Sequence, residues 1–204
     1  MKRRSIITEA EEGFSFLEII IALAIISILA AALIPVIASK LEQARIGRAK
    51  DDVQVIAVAI GKFYIDTSLF PVWEDAAGIG SPGDHPDYDV LASADGEYSA
   101  GMSVRGWSAT RVDTLENQLV FNKPGYPDNG TDCWRGPYLS INKGKRLNKD
   151  PWGNRYLVNV KGLYTLKTTV MVISAGPNEL IETDACRDYR HFRVGGDDIV
   201  CVIK

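Results

Sequence analysis

Between Phe14 and Ala38 the side chains are almost wholly apolar, and further on the pattern changes to apolar residues at helical spacing with charges between them. A helix of the first stretch, rising about 1.5 Å per residue, is long enough to cross a hydrocarbon core of about 30 Å. In the second stretch Ala49, Val53, Ile56, Ile60 and Phe63/Tyr64 fall on one face, with Arg45, Arg48, Lys50, Asp51, Asp52 and Lys62 between them. The pattern predicts one helix that spans the membrane over residues 14–38 and leaves it as an amphipathic stalk over 39–65. The stripe on the stalk has two candidate partners, the core of a soluble domain and neighbouring copies of the chain, and both can hold at opposite ends. Pro35 removes a backbone donor and is expected to kink or locally unwind the helix, while Gly47 and Gly61 lower its intrinsic helicity.

After Tyr64 the periodicity gives way to turn-rich sequence: Phe70-Pro71, Gly78 to Gly83, His85-Pro86, Asp95-Gly96 and Pro124-Gly125. One helix is expected in this long irregular connection, over 110–121, with Val112, Leu115, Leu119 and Val120 on one face. Connections of such length are usually functional surfaces or family-specific insertions. In the second half, residues 155–160, 168–173 and 198–203 are β-rich runs separated by glycine-containing turns, and they are expected to form a small antiparallel sheet. A long N-terminal helix laid on that sheet gives both apolar faces a partner, so the expected fold class is α+β.

Composition narrows the function. A chain of 204 residues accommodates a membrane segment and one globular domain. The formal net charge of -3 leaves no basic excess to displace phosphate counterions, which argues against a nucleic-acid partner, and Lys143-Gly144-Lys145-Arg146 reads as a solvated loop. Lys2, Arg3 and Arg4 before the span favour a cytoplasmic N-terminus with the bulk of the chain across the membrane. The apolar stretch is longer than that of a secretory signal peptide. Cys133, Cys186 and Cys201 lack the spacing of zinc ribbons, thioredoxin-like sites or haem attachment. Outside the cytoplasm one disulfide and one free thiol are expected, and Cys133–Cys186 and Cys186–Cys201 both remain open. His85 and His191 are the only histidines, and no HExxH, GxSxG, Walker A or GxGxxG string occurs, so no enzyme is expected.

Glu18 is the anomaly. An ionised side chain in a span costs about 2.5–3.5 kcal/mol on insertion scales, so something should neutralise or solvate it. Near the start of the span it can reach water at the headgroups. Alternatively, cleavage after Gly13 would make the Phe14 amine a new positive terminus, which a second copy could present to Glu18 within the membrane.

The basic leader, Gly13, Phe14, Glu18 and the long apolar helix resemble the class III signal of type IV pilins and type II secretion pseudopilins. The resemblance implies that a membrane peptidase cuts after Gly13 and N-methylates Phe14, that Glu18 guides subunits into a filament by pairing with a neighbour's terminus, and that residues 1–13 are a removed leader. Pro35 falls where this family often has a helix-disturbing proline. Trp134-Arg135-Gly136-Pro137-Tyr138-Leu139 and Asp150-Pro151-Trp152-Gly153-Asn154-Arg155-Tyr156 are similar to the W-x-G-P-Y-L and D-P-W-G-x-x-Y pair of the major, G-type pseudopilin. Their expected role is to build the domain, since Asp-Pro starts a turn, Gly153 permits an unusual backbone angle, and Trp152 and Tyr156 bring large apolar surface. The resemblance covers roughly residues 1–70 and 130–200. The interval 74–130 is longer than the family usually has, and nothing carries over to it.

The segments 173–179 and 195–199 are similar to the calcium-binding loop of G-type pseudopilins. By that resemblance Asp197 and Asp198 are carboxylate ligands, Asn178 stands where the family has aspartate or asparagine, and backbone oxygens around Ser174 and Leu180 to Ile181 complete the shell, a donor set suited to calcium. The alternative is a turn whose aspartates cap backbone amides without metal. Here the intervening loop is longer and carries Cys186, Arg187, Arg190, His191 and Arg193, whose positive charge would weaken cation binding. The resemblance as a whole implies a leader (1–13), a filament-core helix (14–38), its amphipathic continuation (39–65) and a periplasmic head (66–204), divided into a variable connection (66–130) and a sheet-and-loop region (131–204). The implied function is an inner-membrane, single-pass subunit that polymerises into a homo-oligomeric periplasmic filament supporting type II secretion, with a prepilin peptidase, minor pseudopilins and a platform protein as partners. A pilin of a type IV pilus, serving adhesion, motility or DNA uptake, and a membrane-anchored binding module that does not assemble are the alternatives.

Overall fold

The computed structural model describes residues 14–75, 87–107, 110–141, 147, 149–164, 168–185 and 188–204. Its contacts divide the chain into one unit up to Gln43 and a second from Ala44 to Lys204.

Helix α1 runs Phe16–Thr67 and is opened by the carbonyl of Ser15, which accepts from the amides of Glu18 and Ile19. In the first unit no described residue is buried, although the side chains are mainly Ile, Leu, Ala and Val. The Ser27 hydroxyl donates to the Leu23 carbonyl at 2.7 Å, so the span carries its one hydroxyl past Ser15 without an unmet donor. Helical backbone continues through Pro35, so the local unwinding expected there does not occur.

In the second unit α1 buries Ala49, Val53, Ile56, Ala59, Ile60, Phe63 and Thr67, the stripe legible in the sequence with Ala59 and Thr67 added. Tyr64 instead stays half exposed and stacks on Phe70. The helix ends where Ser68 adopts a left-handed φ of 55° and its amide bonds the Tyr64 carbonyl at 2.8 Å. The stripe packs on a five-stranded sheet of order β2-β1-β3-β4-β5, with β1 Val90–Ala92, β2 Val112–Thr114, β3 Leu157–Val158, β4 Met171–Ser174 and β5 Ile199–Val202.

The three runs read from the sequence become β3, β4 and β5 and pair antiparallel, with Val158 opposite Val172 and Ile173 opposite Val200. The sheet as a whole is mixed, because the long connection adds two strands and β1 pairs parallel with β2, Val90 opposite Val112. Alternation along the strands separates two cores. Leu91, Val158 and Val172 face α1, while Val90, Ala92, Leu157, Met171 and Ile173 face Met102, Trp107, Ile181 and Ala185 on the other side. The central strands β1, β3 and β4 are buried on both faces, as in sheets covered on both sides.

The helix expected over 110–121 is a strand followed by one short helix. Residues 112–114 are β2, and only α2, Leu115–Leu119, is helical. Val112 and Thr114 are β-branched, and the Thr114 hydroxyl accepts from the Asn117 amide at 3.2 Å, so the residue that ends the strand also caps the helix.

Candidate functional site

At the start of α1, Phe14 is 80% exposed and Glu18 lies exposed in the first helical turn. Gly13 is outside the described residues. No described side chain hydrogen-bonds the Glu18 carboxylate within one copy of the chain, which leaves the carboxylate available to a group from outside it.

In the head, the string 134–139 folds around its own glycine. The Trp134 indole lies over Gly136 so closely that an added Cβ would sit 2.4 Å from the ring, and Tyr138 stands edge-on to Trp134 at 5.8 Å and to Phe63 of α1 at 5.6 Å. The Tyr138 hydroxyl accepts from the Arg135 amide at 2.9 Å. Burial raises the Tyr138 pKa, so the phenol stays neutral. The motif is thus a compact turn pressed on the helix stripe.

The string 150–156 is organised by a buried carboxylate. Asp150 Oδ1 accepts from the amides of Trp152 at 3.1 Å and Asn154 at 2.7 Å, and Oδ2 accepts from the Ser174 hydroxyl at 2.7 Å. Gly153 has φ +107°, open to glycine but strained for other residues. At the far end, the Tyr156 hydroxyl donates to Asp52 Oδ2 of α1 at 2.7 Å, and Asp52 pairs with Arg48 at 3.5 Å. Burial and the neighbouring Asp52 drive the Tyr156 pKa strongly upward, keeping it a donor. This motif therefore ties helix to sheet, the structural role read from sequence.

The candidate cation loop comes next. Gly176, at φ +68°, brings the backbone against the Asp197 carbonyl, where an added Cβ would sit 2.3 Å away. Asp197 Oδ2 accepts from the Asn178 amide at 3.0 Å, and Asn178 Oδ1 accepts from the Leu180 amide at 2.8 Å. Asp198 Oδ2 accepts from the amides of Glu182 at 2.9 Å and Thr183 at 2.6 Å. The other oxygen of Asp198 is buried without a hydrogen-bond partner, in a side chain only 7% exposed, and burial raises the Asp198 pKa. An unpaired buried carboxylate oxygen is the kind of oxygen donor that a hard cation takes. Calcium there would be held through Asp198 Oδ1 and would supply positive charge to a carboxylate that burial disfavours. The Ser174 hydroxyl is directed to Asp150, so only its carbonyl is available. Among the described residues no three His, Cys, Asp or Glu side chains converge as a metal-binding group.

Sequence reasoning missed Glu182, whose carboxylate accepts from the Asn178 side chain at 2.9 Å. No spacing signal marks it, because the loop itself brings it there. His191 is exposed in a single helical turn, Tyr189–His191, and Cys186 and Arg187 lie outside the described residues, as does His85. Cys133 is buried and Cys201 half-buried, and Cys186, common to both expected pairings, lies outside the described residues.

No protein-family model matches the chain, and no solved structure matches it. The chain is 34% identical over 61 residues to the type II secretion system core protein G of Pseudomonas aeruginosa (strain PAO1), a match covering 30% of this chain. It spans 43% of the length of that relative. With its apolar N-terminal helix and α+β head, the chain is similar in sequence to a secretion-system core protein and pilin-like in architecture.

Proposed function

We propose that this chain is a pseudopilin: an inner-membrane subunit, cleaved after Gly13 and methylated at Phe14, that polymerises into a periplasmic filament supporting type II protein secretion. The observation that carries the reading is the contrast along α1, apolar and without a buried residue up to Ala38 around one acid, Glu18, then buried along one stripe from Ala49. An apolar surface exposed on every side needs lipid or copies of itself, and a carboxylate within it needs a cation. The freed Phe14 amine of another copy meets that need. The similarity to core protein G of a type II system supports a structural role and not an enzymatic one. The prepilin peptidase, minor pseudopilins and platform protein follow as partners from the same reading.

Mass spectrometry of the protein from cells with an active peptidase should find a chain that begins at methylated Phe14, and Glu18→Ala should leave insertion intact while abolishing filaments. An uncleaved leader, or filaments of normal yield from the alanine variant, would overturn the proposal. Filaments on the cell surface in place of the periplasm would move it to a type IV pilus.

The buried free oxygen of Asp198 supports calcium in the head. Chelator should lower the melting temperature of the wild type and leave Asp198→Ala unaffected, and equal sensitivity of the two would remove the cation.

A further inference from the structure

The segment 97–107, for which sequence offers no role, is bonded from Ala100 to Trp107 to the far side of the candidate cation loop. The Ile181 amide donates to the Ala100 carbonyl at 2.9 Å, and Ala100 and Leu180 form a parallel bridge. The Ala185 amide donates to the Arg105 carbonyl at 2.9 Å. The Trp107 indole N–H, on a fully buried side chain, donates to the Thr183 carbonyl at 2.9 Å. Gly101, at φ +85°, lies so close that an added Cβ would be 2.7 Å from the Ile181 carbonyl. Arg105 also pairs with Asp184 at 3.6 Å, a half-exposed contact of small energetic weight.

Four amides of residues 181–185 thus divide between two holders. Those of Glu182 and Thr183 go to Asp198, and those of Ile181 and Ala185 go to the 97–107 segment. Beneath them Met102, Trp107, Ile181, Ala185, Met171 and Ile173 form a shared apolar core, so the contact is packed as well as hydrogen-bonded.

We propose that residues 97–107 are an internal brace that holds residues 180–185 in shape with or without a cation, so that cation binding at Asp198 is a local event and not a condition for the loop's fold. The inference is independent of the filament reading. Removing calcium then changes only the Asp198 side of the loop, where the buried oxygen loses its partner, while the braced side stays closed.

Two glycines of the segment provide a matched test. Gly101 and Gly106 both have positive φ, but only Gly101 touches the loop, since nothing lies within 4 Å of a Cβ built on Gly106. Alanine strains the backbone at both positions and opens the brace only at Gly101. Amide hydrogen exchange on the full chain in detergent micelles, with calcium or EGTA, reads the outcome directly. In the wild type, EGTA should change exchange at Ile181 and Ala185 by less than about threefold. Gly101→Ala should speed both by about tenfold or more, and Gly106→Ala should leave them within about threefold of wild type. Should Gly101→Ala fail to fold, Trp107→Phe removes the indole N–H together with part of the buried ring volume and should still speed exchange at Ala185. Loss of protection at Ile181 and Ala185 in wild-type protein on chelation, or equal acceleration by both alanine variants, would overturn the brace. Wild-type protein that binds no calcium yet keeps these amides protected would support the brace and remove the cation.

Discussion

The two halves of α1 share a backbone and a helical period yet meet opposite fates. Up to Gln43 the helix exposes Leu17, Ile21, Ile28 and Leu33 by half or more, whereas from Ala44 onward Val53, Ile56, Ile60 and Phe63 are at most 2% exposed. The difference lies in arrangement more than hydrophobicity. Apolar residues on every face cannot all be covered by one small sheet, so the first half is built for a surrounding of lipid or like chains. A single stripe flanked by Arg48, Asp51, Asp52 and Lys62 can be covered from one side, and the sheet covers it. A helix that is hydrophobic all round reads as an order for external partners, and one with a stripe reads as an order for an internal one.

The contrast breaks most sharply by truncating one large side chain in each half. Phe63→Ala should destabilise the head by about 3–5 kcal/mol, since the ring is fully buried between Tyr126 and Tyr138. Ile28→Ala should leave head unfolding within about 0.5 kcal/mol of wild type, both measured by denaturant titration of the full chain in micelles with tryptophan fluorescence. A comparable loss from both would show that the halves depend on each other. Tyr156→Phe keeps the ring and removes the hydroxyl bonded to Asp52, so about 1.5–3 kcal/mol should be lost in the same titration. The smallest effect concerns pH. Burial raises the Asp198 pKa, so the folded state holds a proton that the unfolded chain releases. That contribution to stability is complete below the ordinary carboxylate value, near about 4, and is lost as pH climbs through the raised one. In EGTA, wild-type protein should therefore lose melting temperature relative to Asp198→Asn as pH rises above about 4, and a difference that is flat with pH would show that Asp198 is not buried in solution.

Much of this was legible in the chain. The α1 stripe, the three C-terminal strands and the helix-on-sheet arrangement follow from periods of 3.6 and 2 in residues that stay local. The two aromatic strings were readable as structure, because Asp-Pro, glycine and large rings act over a few positions. What escaped depended on distant chain. β1 is three residues long, and only its neighbours β3, where Leu91 faces Val158, and β2 give it a reason to be extended. Val112, Leu115 and Leu119 satisfy a helical period equally well, and Thr114, strand end and cap at once, decides the matter. At the loop, Asp198 was visible as an acid, but that one of its oxygens is capped and the other lacks a partner depends on the folding of residues 180–185. Trp107 gave no sign of its task, since its partner lies 76 positions away.

Glu116 has a consequence of a different kind. Its carboxylate, in a side chain 2% exposed, receives the amide of Ala94 at 3.1 Å on both oxygens and the amide of Leu147 on one. Two remote stations of the polypeptide are thereby moored at a single post. Sequence threaded between those moorings can lengthen, shorten or change its chemistry over generations while its ends return to fixed ground, which makes this region of the head a natural place for lineages to graft new surfaces.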